Sequence, residues 1–173
     1  MYIPITVKKE IKKMSQTKLD IILVLDNVNY VRNVAEIFQL AEAFRIRKII
    51  ISGNSACPPF GKDLQKASLK AERRVEWEKT TELESTLSKL KSRNYQLYAL
   101  SFNEEAQSIY NIDLKLNKIA LIMGNETNGL AKSILAKADK QVLVPSNLGP
   151  SYLNLNLNLA VILNTLFIKS FSL

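Results

Sequence analysis

The run DIILVLD at residues 20–26 places five apolar residues in succession within seven positions. It is shorter than an ordinary helix and lacks the alternation of a strand with one wet face. Such a run suits a strand buried on both sides, the condition of a parallel sheet with helices covering each face. The same pattern returns in KIIIS (48–52), YQLYAL (95–100), KIALIM (118–123) and QVLV (141–144). Between these runs the period changes. Val34, Ile37, Phe38 and Ala41 recur at helical spacing, with Asn33 as the expected N-cap. Helices are also predicted over 63–69, over 80–92 (Leu83, Leu87 and Leu90 on one stripe) and over 131–138, with a short strand at 74–77. Alternating strands and helices predict an α/β fold, a mostly parallel sheet flanked by helices.

The C-terminal segment obeys two periods at once. LNLNLNL at 153–159 alternates as a strand would. The apolar pattern then continues through Ala160, Val161, Ile162, Leu163, Leu166 and Phe167 without a turn, which is too long for a typical strand. A helix over 152–170 is predicted, with Asn154 and Asn158 sharing a face. Residues 1–173 read as one domain, with 1–19 a lysine-rich N-terminal extension.

Composition removes whole classes of chemistry. The chain has no histidine and a single cysteine, Cys57, which excludes an intrachain disulfide, Cys/His zinc sites, Ser-His-Asp triads and histidine acid–base catalysis. No metal is expected. Cys57, beside Pro58 and Pro59, reads as a packed or loop thiol. No apolar run nears the roughly 18 residues of a membrane span, and the N-terminal segment carries no apolar leader, so a cytoplasmic protein is expected. The net charge of +8 and pI near 9.5 point to a polyanionic partner. Lys8, Lys9, Lys12, Lys13 and Lys18 form one basic group, and Lys62, Lys66, Lys70, Arg73 and Arg74 a second. Neither a G-x-G-x-x-G nor a G-x-x-x-x-G-K-[ST] sequence occurs, so neither phosphate cradle of the common nucleotide-binding α/β folds is present.

Three segments carry a resemblance, in order: LDNVNYVRNVAEIFQLAEAF (25–44), IALIMGNETNGL (119–130) and VLVPSNLGPSYLNLNLNLA (142–160). They resemble the three motifs of the SpoU/TrmH family of SPOUT RNA ribose methyltransferases, and KASLKAERRVEWE resembles a connecting stretch found in part of that family. The resemblance implies a deep trefoil knot over 124–167, a homodimer and S-adenosylmethionine as methyl donor. It implies transfer to a ribose 2′-hydroxyl of tRNA or rRNA. Leu100, Gly124, Asn125, Val144, Tyr152 and Leu153 match the donor-binding positions, and Asn33, Glu126 and Asn154 the polar positions near the reacting centre. Independently of any family, Gly124 directly follows a buried strand, where a missing Cβ admits a ligand or another backbone. Gly129 precedes a helix, where N–H groups can face an electronegative ligand.

The sequence departs from the pattern at the family's motif-one arginine, which falls on Gln39. A neutral amide neither takes a proton usefully nor stabilises an alkoxide as a guanidinium does. Tyr152 stands where a small or hydroxyl residue is expected, and Ala35 and Arg45 replace glycines. Two accounts are open: Arg32, about two helical turns before Gln39, supplies the missing charge, or the chain is a catalytically impaired paralogue acting as an RNA-binding or dimeric protein. If the basic groups bind RNA, affinity falls steeply with salt. Replacing Lys8, Lys9, Lys12 and Lys13 by Ala then flattens the slope of log K against log salt by about 3 for a single-stranded ligand; a salt-insensitive complex in filter binding rules this out.

Overall fold

Alternate side chains of each apolar run enter opposite cores, which is why the runs are continuous. In β1 (Asp20–Asp26), Ile21, Leu23 and Leu25 join one cluster while Ile22 and Val24 join the other. In the computed structural model, which describes residues 19–114, 117–149 and 152–171, the chain continues through α1 (Val31–Ala43), β2 (Lys48–Ser52), α2 (Lys62–Ala67), β3 (Trp77–Thr80) and α3 (Leu83–Ser92). It then forms β4 (Gln96–Leu100), β5 (Gln107–Ser108), β6 (Lys118–Met123), α4 (Lys132–Leu135), β7 (Lys140–Leu143) and α5 (Leu155–Ser170). The strands form one sheet in the order β3-β2-β1-β6-β4-β7-β5, and every pairing is parallel. The chain thus returns to insert β6 between β1 and β4, and β7 between β4 and β5.

Helices α1 and α5 pack on the first cluster, through Val34, Ile37, Phe38, Leu159, Ile162, Leu163 and Leu166. Phe44 and Phe167 meet at 5.5 Å between ring centres. Helix α3 covers the other face with Leu87 and Leu90, joined by Ile134 of α4. Full burial of one such side chain contributes roughly 1.5–3 kcal/mol. The expected α/β layers are present, and among the described residues no helix is long and apolar enough to cross a membrane.

Several local expectations need correction. The short strand lies at Trp77–Thr80, because residues 71–73 form a 3-10 turn that delays its start. Helix α3 begins at Leu83, since Thr80 Oγ1 accepts the N–H of Glu82 and its backbone belongs to β3. The helix expected over 131–138 is confined to Lys132–Leu135. Strand β5, only two residues long, has no periodicity to read. The 153–159 alternation resolves as a helix whose polarity inverts the simple reading: Asn156 and Asn158 are buried while Leu157 is exposed. Asn154 is its N-cap, accepting the N–H of Leu157 at 2.9 Å. The N-terminal lysines Lys8, Lys9, Lys12, Lys13 and Lys18 lie outside the described residues.

Two helices end in the same hydrogen-bonded motif with different residues at its left-handed position. After α1, Ile46 N–H reaches Ala41 O (2.8 Å) and Arg45 N–H reaches Glu42 O (3.1 Å); after α3, Tyr95 N–H reaches Leu90 O (3.1 Å) and Asn94 N–H reaches Lys91 O (2.9 Å). Asn94 tolerates its φ of 65°, but Arg45, at φ 51°, carries a Cβ penalty that glycine would lack. Arg45→Gly is therefore expected to stabilise the fold by about 1 kcal/mol, raising Tm by roughly 2–4 °C in thermal denaturation; an unchanged or lower Tm contradicts this.

Candidate active site

Pairing of β1 with β6 runs in register from Asp20↔Lys118 to Leu25↔Met123. The loops that follow, 27–30 and 124–131, therefore leave the sheet side by side at its carboxyl edge. Glu126 joins them. Its carboxylate accepts the backbone N–H groups of Asn29 (3.2 Å) and Tyr30 (3.1 Å) and the Nδ2 of Asn33 (3.0 Å). Three donors on one carboxylate make charge-assisted bonds, each stronger than a neutral pair. Asn33 is not the N-cap of α1. It is the third residue of the helix, Tyr30 occupies the cap position without a side-chain bond, and the anchoring acceptor comes from Glu126, distant in sequence.

The β6–α4 loop is held by its own backbone. Asn125 and Gly129 exchange both N–H···O bonds, at 3.1 and 2.9 Å. Asn125 Nδ2 donates to Asn27 O (3.0 Å), and its Oδ1 accepts from the N–H groups of Thr127 and Asn128 (both 3.0 Å). A Cβ at position 124 would stand 2.4 Å from Gly129 O, so the missing side chain there makes room for backbone. The N–H of Gly129 is occupied by Asn125, which corrects the expectation that it faces a ligand. Sequence reasoning missed the polar layer beneath. Buried Asp26 accepts from Ser52 Oγ (2.8 Å) and Asn27 Nδ2 (3.1 Å), while Ser55 Oγ accepts the Val28 N–H (2.8 Å).

A second chain of contacts runs from α1 to α5. Arg32 Nε and Glu36 Oε1 are 3.0 Å apart, Asn156 Nδ2 donates to Glu36 Oε2 at 2.7 Å, and Asn33 Oδ1 lies 3.5 Å from the same amide. Glu36 and Asn156 were not among the candidates. The available signal was an asparagine inside an apolar helix, which when buried requires a partner. Gln39 is exposed on the α1 face that carries Arg32 and Glu36, at positions i, i+4 and i+7. Asn154 is exposed and engaged in its cap. The structure thus brings Asn33, Glu126 and Arg32 into one network through Glu36 and Asn156, with Gln39 and Asn154 outside those hydrogen bonds.

Of the donor-binding candidates, Leu100 ends β4, Gly124 follows β6 and Val144 follows β7, and these three strands are neighbours. Two large apolar side chains on the loops beyond β4 and β7, Phe102 and Leu148, are 44% and 70% exposed, and Tyr152, ahead of α5, is 69% exposed. Leu153 is half-buried against the first core. An open cleft of about 450 Å³ is lined by Asn29, Tyr30, Asn125, Glu126, Thr127 and Asn128. Of the second basic group, Arg74 is spent: its guanidinium grips both oxygens of Glu42 and Leu69 O. That contact lowers the Glu42 carboxyl below its usual range and raises Arg74 above its own, chiefly through the hydrogen bonds.

Comparison with known proteins gives consistent results. The sequence profile described as the SpoU rRNA Methylase family matches residues 20–164. An uncharacterized tRNA/rRNA methyltransferase of Borreliella burgdorferi is 27% identical over 142 residues, 82% of this chain and 61% of that protein. The 23S rRNA (guanosine-2′-O-)-methyltransferase RlmB of Blochmanniella floridana is 26% identical over 134 residues, 78% of this chain and 52% of that protein. The chain therefore spans only about half to three-fifths of these relatives. In fold it is similar to the SpoU methyltransferase AviRb of Streptomyces viridochromogenes in complex with AdoMet, with a TM-score of 0.76, 18% identity, and coverage of 91% of this chain and 60% of that one.

The Glu126 clamp has a local consequence. Glu126→Ala strips the acceptor from the Asn29 and Tyr30 amides and from Asn33, so these amides should lose hydrogen-exchange protection. Global stability should fall by roughly 1–3 kcal/mol in chemical denaturation. Unchanged exchange at Asn29 and Tyr30 contradicts the clamp.

Proposed function

The chain belongs to the SpoU rRNA Methylase family, and from that premise we propose that it transfers a methyl group from S-adenosylmethionine to a ribose 2′-hydroxyl of tRNA or rRNA. The observation that carries this reading is the convergence of separate segments at one sheet edge, where Glu126 ties the loop after β6 to the loop after β1. The activity named for the Blochmanniella relative and the AdoMet held by the Streptomyces enzyme support it.

The residues present fit such a donor. Backbone at Leu100, Gly124, Asn125 and Val144 lines the ends of adjacent strands, and uncovered apolar side chains there, Tyr152 among them, suit a planar heterocycle. Leu153 packs against the first core. When bound, the donor supplies an electrophilic methyl on a sulfonium. The chain's own task is to orient the hydroxyl and ease loss of its proton, since a neutral 2′-hydroxyl is a poor nucleophile. Gln39 cannot do this by charge. Arg32 shares its helix face, pairs with Glu36 through Nε and keeps the rest of its exposed guanidinium for a positive field at the oxygen. Asn33 and Asn154 serve as polar orienting groups, and Glu126 keeps Asn33 in place.

In the same reading residues 124–167 close a deep trefoil knot, which the insertion of β6 and β7 between earlier strands supports. The protein works in the cytoplasm as a homodimer packed through α5 and α1. Exposed Leu157 and Ile168 on α5 support that interface, as does the groove of about 570 Å³ beside Tyr110, Val161 and Ile168.

Incubation with tritiated donor and total RNA should yield alkali-resistant 2′-O-methylated nucleotides. Donor binding with no transfer in that assay overturns the catalytic reading in favour of an impaired paralogue. Arg32→Ala should lower kcat by about 10²–10³ while leaving donor affinity within twofold or so, because the loss falls on the transition state; full turnover in that variant sinks the role of Arg32. Sedimentation at micromolar concentration should return the mass of a dimer, and a monomer would refute the interface.

A further inference from the structure

On the face covered by α1 and α2, at the β3 edge of the sheet, lies a second cleft. It has a volume of about 410 Å³ and is walled by Pro58, Pro59, Phe60 and Trp77, with Gln65, Glu72 and Arg73 at its polar side. Phe60 and Trp77 both stand edge-on to Phe38, at 5.7 and 6.4 Å between ring centres. Phe60, buried in the first core, is the floor of the cleft, and half-buried Trp77 is its aromatic wall. The cleft shares no residue with the loops joined by Glu126. Phe38, behind it, is five residues from Asn33 on α1, about 7.5 Å along the axis.

Two observations set this cleft apart from a surface dent. The first is charge. Arg73 lines it, Lys62 and Lys66 lie exposed on α2, and Lys70 is exposed on the turn that follows. Lys62, Lys70 and Arg73 have no carboxylate partner among the described residues, and Lys66 has only an exposed one, Asp63 at 3.8 Å. The second is backbone strain. Leu69 and Lys70 are consecutive non-glycine residues in the left-handed region, at φ 52° and 59°. A Cβ makes this conformation unfavourable at both positions. The turn is nevertheless pinned from several sides: Ser68 Oγ accepts the Lys70 N–H (3.1 Å) and donates to Glu72, and Arg74 donates to Leu69 O (2.9 Å). The strained turn holds Lys70 and Leu69 out in solvent, with Leu69 58% exposed.

We propose that this cleft is a nucleotide subsite, taking one unstacked base of a single-stranded RNA segment against Trp77 and Pro59, above Phe60, while Arg73, Lys70 and Lys62 hold the flanking phosphates. The inference rests on the RNA reading above and deepens it by naming a contact away from the methyl-transfer centre. Unpaired bases stack on aromatic faces, and cations along the backbone supply sequence-independent affinity. Gln65 Nε2 is engaged by Phe60 O (2.9 Å) and its Oε1 by Arg73 (3.4 Å), and Ser68 Oγ takes Glu72 Oε2, so Oε1 of Glu72 is the acceptor offered to the edge of the inserted base.

Trp77 is the only tryptophan in the chain, so its fluorescence reports on this cleft alone. The 173-residue chain is titrated with a fluorescein-labelled, mixed-sequence single-stranded oligoribonucleotide, following anisotropy for binding and, in a parallel unlabelled titration, Trp77 emission. Saturable quenching is expected with the same midpoint as the anisotropy change, and a duplex of the same sequence should quench far less, its bases being already stacked. Arg73→Ala should weaken binding about tenfold. Lys70→Gly, which removes the cation while relieving the left-handed strain, should also weaken it and leave donor affinity unchanged in calorimetry. RNA binding with unaltered Trp77 emission, equal quenching by the duplex, or wild-type affinity in both variants overturns the subsite and leaves the RNA reading standing. An absence of any anisotropy change overturns both.

Discussion

Everything at the carboxyl edge depends on the pairing of β1 with β6, two strands separated by nearly a hundred residues of chain. Both are buried on each face, so their side chains cannot slip by one position without moving a whole set from one core to the other. That register fixes where Asp26 and Met123 end, and hence which loop atoms meet. The carboxylate of Glu126 then finds the amides of Asn29 and Tyr30 at hydrogen-bond distance. Neither loop has a regular ladder of its own, so the clamp works only because the sheet brings the two together.

The site is consequently a product of several distant segments, each contributing a simple part. The first loop supplies N–H donors and the start of α1, and the second supplies a charged acceptor on a turn closed by Asn125 and Gly129. The apolar final helix supplies Asn156, whose amide reaches Glu36 at 2.7 Å and extends the network toward Arg32. The asparagines of this largely apolar helix lower its propensity, and the bond of Asn156 to Glu36 offsets part of that cost. Asn158, likewise buried, turns its Nδ2 to the carbonyls of Leu153 (2.8 Å) and Asn154 (3.1 Å) at the start of the same helix.

Charge on this protein is divided between groups that are spent and groups that are available. Arg74 closes on Glu42, and Lys48 is shared by Glu76 and Glu78 at 3.0 and 2.7 Å. These pairs hold a turn and a sheet edge, although exposed ion pairs add only about 0–1 kcal/mol each. Lys62, Lys70 and Arg73 are not consumed in this way. A net charge alone does not separate the two kinds; partner geometry does.

Period and composition were enough to determine the α/β layers, the parallel sheet and the buried strands, because two-faced burial leaves an unbroken apolar run that few other structures tolerate. Missing histidine and the lone cysteine settled which catalytic chemistries were out of reach. The order of the motifs singled out loops that the fold brings side by side, among them those that carry Gly124 and Glu126 and lead into Asn33. Tertiary structure alone decided what those residues touch. Asn33 looked like a cap and instead serves Glu126, since the competing acceptor is remote in sequence and visible only once β1 and β6 are paired. The bare Gly124 admitted a ligand or another backbone, and the fold of the turn brings the carbonyl of Gly129 against it. The LNLNLNL segment satisfied two periods, and the choice between them followed from the core it had to cover. Local sequence encodes which surfaces must be buried; which polar atoms then come within 3 Å of each other depends on long-range register.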